Sequence, residues 1–308
     1  MNIYRFKKSL GFLIAFSLLF FLGRTLISNW NALENYSWHF HLPWLLSSFT
    51  IFFLYSFLLV EPFLAFLRQL GIQLPYRHGF QIFYPSKLCR YLPGNIGLLL
   101  GQIYFCQKAG ISKTEALLSC AFELGFLNLS GILISLCTFP LINRLNLPFT
   151  GNILWVTPIF LIAFLIGTFI LAGFGEQIFR FVSKKIFRVD IHFELSVFQF
   201  LRFLITYLLL WGCCGLAFFL FVKSLSPVGW RALPAMIGIY ATAWVVGFLS
   251  LITPSGLGIR EGVLSLLLTA YLPPATATLV ALLSRLWSTL AELVLAGGAI
   301  ALRHKNTD

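Results

Sequence analysis

Apolar stretches of about 20 residues recur from one end of the 308-residue chain to the other, and that pattern limits the fold more than any motif does. One helix of about 20 residues crosses the hydrocarbon core of a bilayer. Hydrophobic residues make up 59% of the chain, 34 of them Phe, and charged residues only 10%. A soluble domain carries about 25% charged residues, so this chain has too little polar surface to cover itself in water. Its mean hydropathy is +0.89. No segment between the apolar stretches is long and polar enough to form a water-exposed domain. The expected fold is therefore all-α: a polytopic integral membrane helical bundle of about 7–8 transmembrane helices, a single domain spanning residues 1–308.

Charge and composition remove other classes. The net charge is +12, from 22 Lys and Arg against 10 Asp and Glu. In a soluble protein such an excess points to nucleic acid. In a membrane protein it reads as Lys and Arg gathered in cytoplasmic loops against anionic headgroups, so no nucleic-acid partner is expected. The six cysteines lie almost wholly in apolar stretches without C-x-x-C spacing, which fits small core residues better than a zinc site or disulfide framework. The two aspartates, Asp190 and Asp308, lie outside the spans, and there is no H-E-x-x-H, P-loop or dinucleotide fingerprint. Neither a metal nor a cofactor is expected.

Arg5, Lys7 and Lys8 precede an apolar run to about Ile27, with no small-x-small cleavage site after it. This reads as a retained first helix with a cytoplasmic N-terminus, in the inner (plasma) membrane. Further spans are expected from about Leu42 to Leu67, Glu115 to Ile142, Ile153 to Phe174, Leu195 to Val222, Arg231 to Ile252 and Thr276 to Leu302. Between Glu176 and Asp190 the cations Arg180, Lys184 and Arg188 share one helical face and Ile178, Val182, Ile186 and Val189 the other, as in an interfacial amphipathic helix.

Two regions, 80–105 and 253–273, are too charged and too broken by Pro and Gly for ordinary spans, yet too apolar for loops. The first carries Lys87, Arg90, Pro93, Gly94 and Gly97, the second Pro254, Gly256, Gly258, Arg260, Glu261 and Gly262. Irregular backbone survives at membrane depth only where protein buries it or a wet cavity lies beside it, so both are read as re-entrant or broken helices. Pro93, Gly97 and Gly101 share the spacing of Pro254, Gly258 and Gly262, a weak internal repeat relating 42–142 to 231–302. Paired interrupted segments of this kind point to a transporter's binding site.

An ionisable side chain at the centre of a span costs at least about 2.5 kcal/mol, which singles out Glu61, Glu123, Arg202, Arg285 and Glu292. Arg285, Ser288, Thr289 and Glu292 share one helical stripe, as do Ser119, Glu123 and Ser130. Glu123, Arg202, Arg285 and Glu292 are expected to form an intramembrane polar network, either as structural ties in which Glu123 and Glu292 pair with Arg202 or Arg285, or through contact with substrate or a proton relay. Lys87 and Arg90, three residues apart on a short helix, suit a phosphate or phosphodiester headgroup drawn partway into the membrane, with Arg260 as a third donor oriented by Glu261. Snorkelling of these cations to the cytoplasmic interface is the alternative.

The segment Ser86-Lys87-Leu88-Cys89-Arg90-Tyr91-Leu92-Pro93-Gly94, the Ala109 to Lys113 segment, the Glu123 helix and the block Pro254 to Gly262 together resemble the lysylphosphatidylglycerol synthase transmembrane family, also called the flippase-like domain family. The resemblance spans essentially the whole chain and implies movement of lipids between leaflets. In bifunctional relatives a soluble aminoacyltransferase domain follows this membrane region. This sequence ends at Asp308, just after its last apolar stretch, so synthesis of the aminoacyl lipid is not expected. Relatives often carry a basic residue after Gly97 and before Gly101; this chain has Leu98, Leu99, Leu100 and Gln102 in that region, one headgroup contact fewer, which puts the identity of the lipid in question more than its class.

The expectation is a non-enzymatic lipid flippase or transporter. It would move an anionic phospholipid or a polyprenyl or other glycolipid, with membrane lipids as its partners. Two alternatives stand beside it: a scaffold for a separately encoded lipid-modifying enzyme, and an intramembrane transferase using Glu123 or Glu261 as base. Neither the oligomeric state nor the energy source is legible, although the lack of an ATP-binding motif leaves an ion gradient, the membrane potential or a partner as the drive.

Overall fold

Near-continuous apolar sequence from Leu42 onward, with Pro43 in the first turn, starts the helix α1, Leu42–Gln69, which ends where Gly71 adopts φ 81°. The computed structural model describes residues 40–91, 97–142, 196–250 and 256–304, with isolated positions elsewhere. Those residues form eight α-helices and no strand. After α1 come α2, Tyr76–Leu88, which tightens into a 3₁₀ turn at Cys89–Tyr91, then α3, Gly97–Lys108, and α4, Lys113–Thr138, prolonged by a 3₁₀ turn at Phe139–Ile142. The remainder are α5, Val197–Leu225, α6, Leu233–Leu249, α7, Ile259–Leu268, and α8, Pro274–His304.

Five of these helical segments are long and apolar enough to cross a bilayer: Leu42–Gln69, Lys113–Ile142, Val197–Leu225, Trp230–Leu249 and Pro274–Leu302. They agree with the expected spans to within a few residues. The expected first helix, the span from Ile153 to Phe174, the amphipathic helix from Glu176 to Asp190, and Pro93, Gly94 and Pro254 lie outside the described residues. The remaining helices are short. α2 has 13 residues and α3 has 12; at 1.5 Å per residue each reaches about 20 Å, short of the roughly 30 Å hydrocarbon core. α7, with 10 residues, is shorter still. Both irregular regions are thus broken helices rather than spans.

Local chemistry fixes several helix starts. Ser112 accepts a hydrogen bond from the Glu115 backbone N–H (3.2 Å), and Glu115 Oε2 accepts one from Ser112 N–H (2.9 Å), a reciprocal capping box that opens α4. Ser196 and Gln199 do the same for α5. Ser112→Ala is expected to cost about 1 kcal/mol, read as a lower melting temperature in detergent.

The core gathers around Trp287 of α8, which is 2% exposed. Its ring meets Phe52 of α1 (4.5 Å between centroids), Phe221 of α5 (5.3 Å) and Tyr240 of α6 (6.5 Å). Aromatic pairs at such distances contribute beyond the apolar area they bury. Between helices in lipid, close packing and hydrogen bonds replace the hydrophobic drive. Ser48 accordingly donates to the Ala217 carbonyl (2.8 Å), Trp211 Nε1 to the Leu127 carbonyl (3.1 Å), and Tyr84 to the Ser56 carbonyl (2.5 Å).

The broken elements interlock. α2 packs on α3 and α3 on α4; α6 packs on α7 and α7 on α8; and α2 lies on α8 while α6 lies on α4. Each run of helix, break, short helix and long helix therefore places its first helix against the last helix of the other. Gly101 permits one of these close approaches, because a Cβ there would stand 2.5 Å from Cys89 Cβ and 3.0 Å from the Ser86 carbonyl.

One expectation about charged residues needs correction, and one residue that called for an explanation finds it. Glu61, within a span, lies on the lipid side. It pairs with Arg68 on the outer side of α1, both side chains about half exposed, which keeps charge near the helix end neutral. Arg202 is exposed in the second turn of α5 and is not part of the polar network; near a helix end its long stem lets the guanidinium snorkel. The cysteines also divide: Cys106, Cys120 and Cys214 are buried, Cys89 and Cys213 are intermediate, and Cys137 is exposed.

Candidate functional site

A cavity of 480 Å³ lies among α1, α2, α4, α5, α6 and α8, bounded also by the ends of α3 and α7. That volume falls within the roughly 300–1,000 Å³ of typical small-molecule sites. Much of its wall is aromatic: Phe52, Tyr55, Phe83, Tyr84, Trp211, Tyr240, Trp244 and Phe248. Into it come Lys87, Arg90, Arg260, Arg285 and Glu292, together with Ser56, Ser250, Ser288 and the backbone of Gly97 and Gly256. The three cations expected to meet a headgroup therefore share one cavity, although Arg260 stands 170 residues from Arg90 in sequence.

Each cation is held by a carboxylate, and the pairs join broken elements to long helices. Lys87 of α2, 5% exposed, donates to Glu123 Oε1 of α4, which is 1% exposed, and its ammonium sits 4.3 Å from the Phe83 ring centroid. The other Glu123 oxygen, Oε2, is buried with no hydrogen-bond partner. Arg90, in the turn after α2, lies 3.3 Å from Glu292 of α8. Arg285 of α8 donates to Glu261 of α7 (2.8 Å), and Arg260 lies 3.7 Å from the same carboxylate oxygen. Glu261 Oε2 also accepts from Gly258 N–H (2.8 Å), tying the carboxylate to the first turn of α7. Arg260 donates to the Tyr240 hydroxyl (2.9 Å) and lies over that ring.

The partnerships differ from those expected. Glu123 and Glu292 do not pair with Arg202 or Arg285; their partners are Lys87 and Arg90. The headgroup cations and the polar network are thus one system. Glu261 holds Arg285 as well as orienting Arg260, a link between positions 24 residues apart that no spacing rule exposes. Sequence reasoning also missed Tyr240 and the tryptophans of the wall, since aromatic residues are too common in this chain to stand out.

Backbone geometry places Arg260. Gly256 and Gly258 have φ of 65° and 83°, a region that side chains rarely adopt. A Cβ on Gly256 would stand 2.6 Å from the Gly247 carbonyl, and a Cβ on Gly247 2.8 Å from Arg260 Cβ. The segment entering α7 thus lies directly on the end of α6, and Arg260 rides over Gly247 into the cavity.

Residues 9–296 match the sequence pattern of the family described as the lysylphosphatidylglycerol synthase TM region. The chain belongs to this family. No protein of curated function matches it at significant similarity. As a member of the lysylphosphatidylglycerol synthase transmembrane family with five helical segments long and apolar enough to span, it is a multi-pass membrane protein. In this family member, the cavity pairs an apolar, aromatic wall with charge carried on broken helices, an arrangement able to hold an anion within the membrane without an isolated buried charge.

Proposed function

We propose that the protein binds the anionic headgroup of a phospholipid or glycolipid in the central cavity and moves that lipid between leaflets of the inner membrane, its N-terminus cytoplasmic. One observation carries the reading: Lys87, Arg90, Arg260 and Arg285 converge from two broken helices and one long helix on a single cavity inside a membrane bundle. Guanidinium groups bind phosphate oxygens by charge-assisted, often bidentate hydrogen bonds. The broken elements offer the segments that would shift, as in transporters whose sites lie at interrupted helices, with the ion pairs to α4 and α8 exchanging partners as a headgroup passes.

Arg90 is the cation to test, because both it and Glu292 are partly exposed (25% and 14%) and its loss leaves no fully buried charge alone. The protein purified in mild detergent is expected to carry one anionic lipid class in native mass spectrometry. Arg90→Gln is expected to lose most of that lipid, about tenfold or more for a charge-assisted bond of about 1.5–3 kcal/mol. Retention of the bulk lipid mixture by both forms would overturn the headgroup reading in favour of a scaffold for a lipid-modifying enzyme.

A further inference from the structure

The wall of the cavity carries four cations, Lys87, Arg90, Arg260 and Arg285, and among the described residues one carboxylate, Glu292. Two further carboxylates, Glu123 and Glu261, hold Lys87 and the Arg260–Arg285 pair. Among the described residues, four positive charges against three negative leave the cluster one charge positive. The three carboxylates are not equivalent. Glu123 and Glu261 are 1% and 2% exposed, whereas the Glu292 side chain is 14% exposed and belongs to the wall itself. A ligand in the cavity therefore meets all four cations but one acid.

From this we infer that Glu292 sets the charge of the headgroup: the cavity takes a phosphodiester lipid bearing a single negative charge and rejects a phosphomonoester bearing two. The inference rests on the headgroup reading above. A phosphodiester brings the cluster to neutrality while its oxygens meet Arg90. A second negative charge placed there faces Glu292, which Arg90 holds at 3.3 Å. In a low-dielectric wall an unbalanced like charge is strongly unfavourable. A carboxylate is also a pure acceptor, so Glu292 favours a headgroup with hydroxyl donors beyond the phosphate. A glycerol or sugar phosphodiester meets both conditions.

The test compares lipids that differ by one charge. Detergent-purified, delipidated protein receives equimolar phosphatidic acid and phosphatidylmethanol, its methyl diester, at pH 8, where the monoester is close to dianionic. Bound lipid is counted by native mass spectrometry. The wild type is expected to retain phosphatidylmethanol at least tenfold over phosphatidic acid, and phosphatidylglycerol more strongly than phosphatidylmethanol. Glu292→Gln is expected to lose or invert the preference between monoester and diester. The ranking of the three lipids on the wild type needs no variant, so misfolding of Glu292→Gln does not blunt the test. Equal retention of monoester and diester by the wild type, or an undiminished preference in a folded Glu292→Gln, overturns the charge filter and leaves the headgroup reading standing. Failure of the wild type to retain any of the three overturns both.

Discussion

Lys87→Met is expected to destabilise the protein by about 3–5 kcal/mol, the usual consequence of removing one partner from a buried ion pair. Lys87 and Glu123 are 5% and 1% exposed, and Lys87 is the hydrogen-bond partner of Glu123 Oε1, Oε2 having none. Methionine fills much of the lysine volume, so the loss comes from the stranded carboxylate rather than from a cavity. Adding Glu123→Gln to Lys87→Met removes the stranded charge and is expected to restore most of the lost stability. Thermal unfolding in detergent reads all three proteins. Wild-type melting of Lys87→Met alone would mean that the pair does not hold α2 against α4.

Gly256→Ala is expected to cost about 3 kcal/mol and to abolish retention of anionic lipid. Two penalties combine: about 1–2 kcal/mol for a side chain at positive φ, and overpacking of about 1–3 kcal/mol. The clash is with the Gly247 carbonyl, which as backbone cannot rotate away. Relief requires the start of α7 to lift from α6, carrying Arg260 away from Tyr240 and Glu261 from Arg285. Gly262→Ala is the matched control. It lies six residues on, in the first turn of α7, with nothing within 4 Å of its Cβ position, and alanine favours helix. A Gly256→Ala protein with unchanged melting and lipid retention would show that Arg260 does not depend on this contact.

These two variants also separate what is local from what is not. The long apolar runs, the serine caps before α4 and α5 and the Pro- and Gly-rich interruptions are local features, so the bundle and both broken regions were legible within a few residues. Lys87, Arg90 and Arg260 were legible as candidates because a cation on a helix too short to span stands out against a membrane background. Arg202 was misread, and the partner of Glu61 was not legible, for one reason: hydropathy gives depth in the sequence but not which side of a helix faces lipid. Arg202 looked like a network member and is exposed, while Glu61 found its partner seven residues away on its own helix.

The amino-acid sequence by itself determined that this chain is a membrane bundle, that two of its segments cannot cross as simple helices, and which rare charges those segments carry. Length, hydropathy and backbone propensity act over a few residues and need no partner. Only the tertiary structure decided which charges meet: Lys87 with Glu123, Arg90 with Glu292, and Glu261 between Arg260 and Arg285. An ion pair in a low-dielectric interior is set by distances of a few ångströms, and those distances depend on how α2 comes to rest on α8 and α6 on α4.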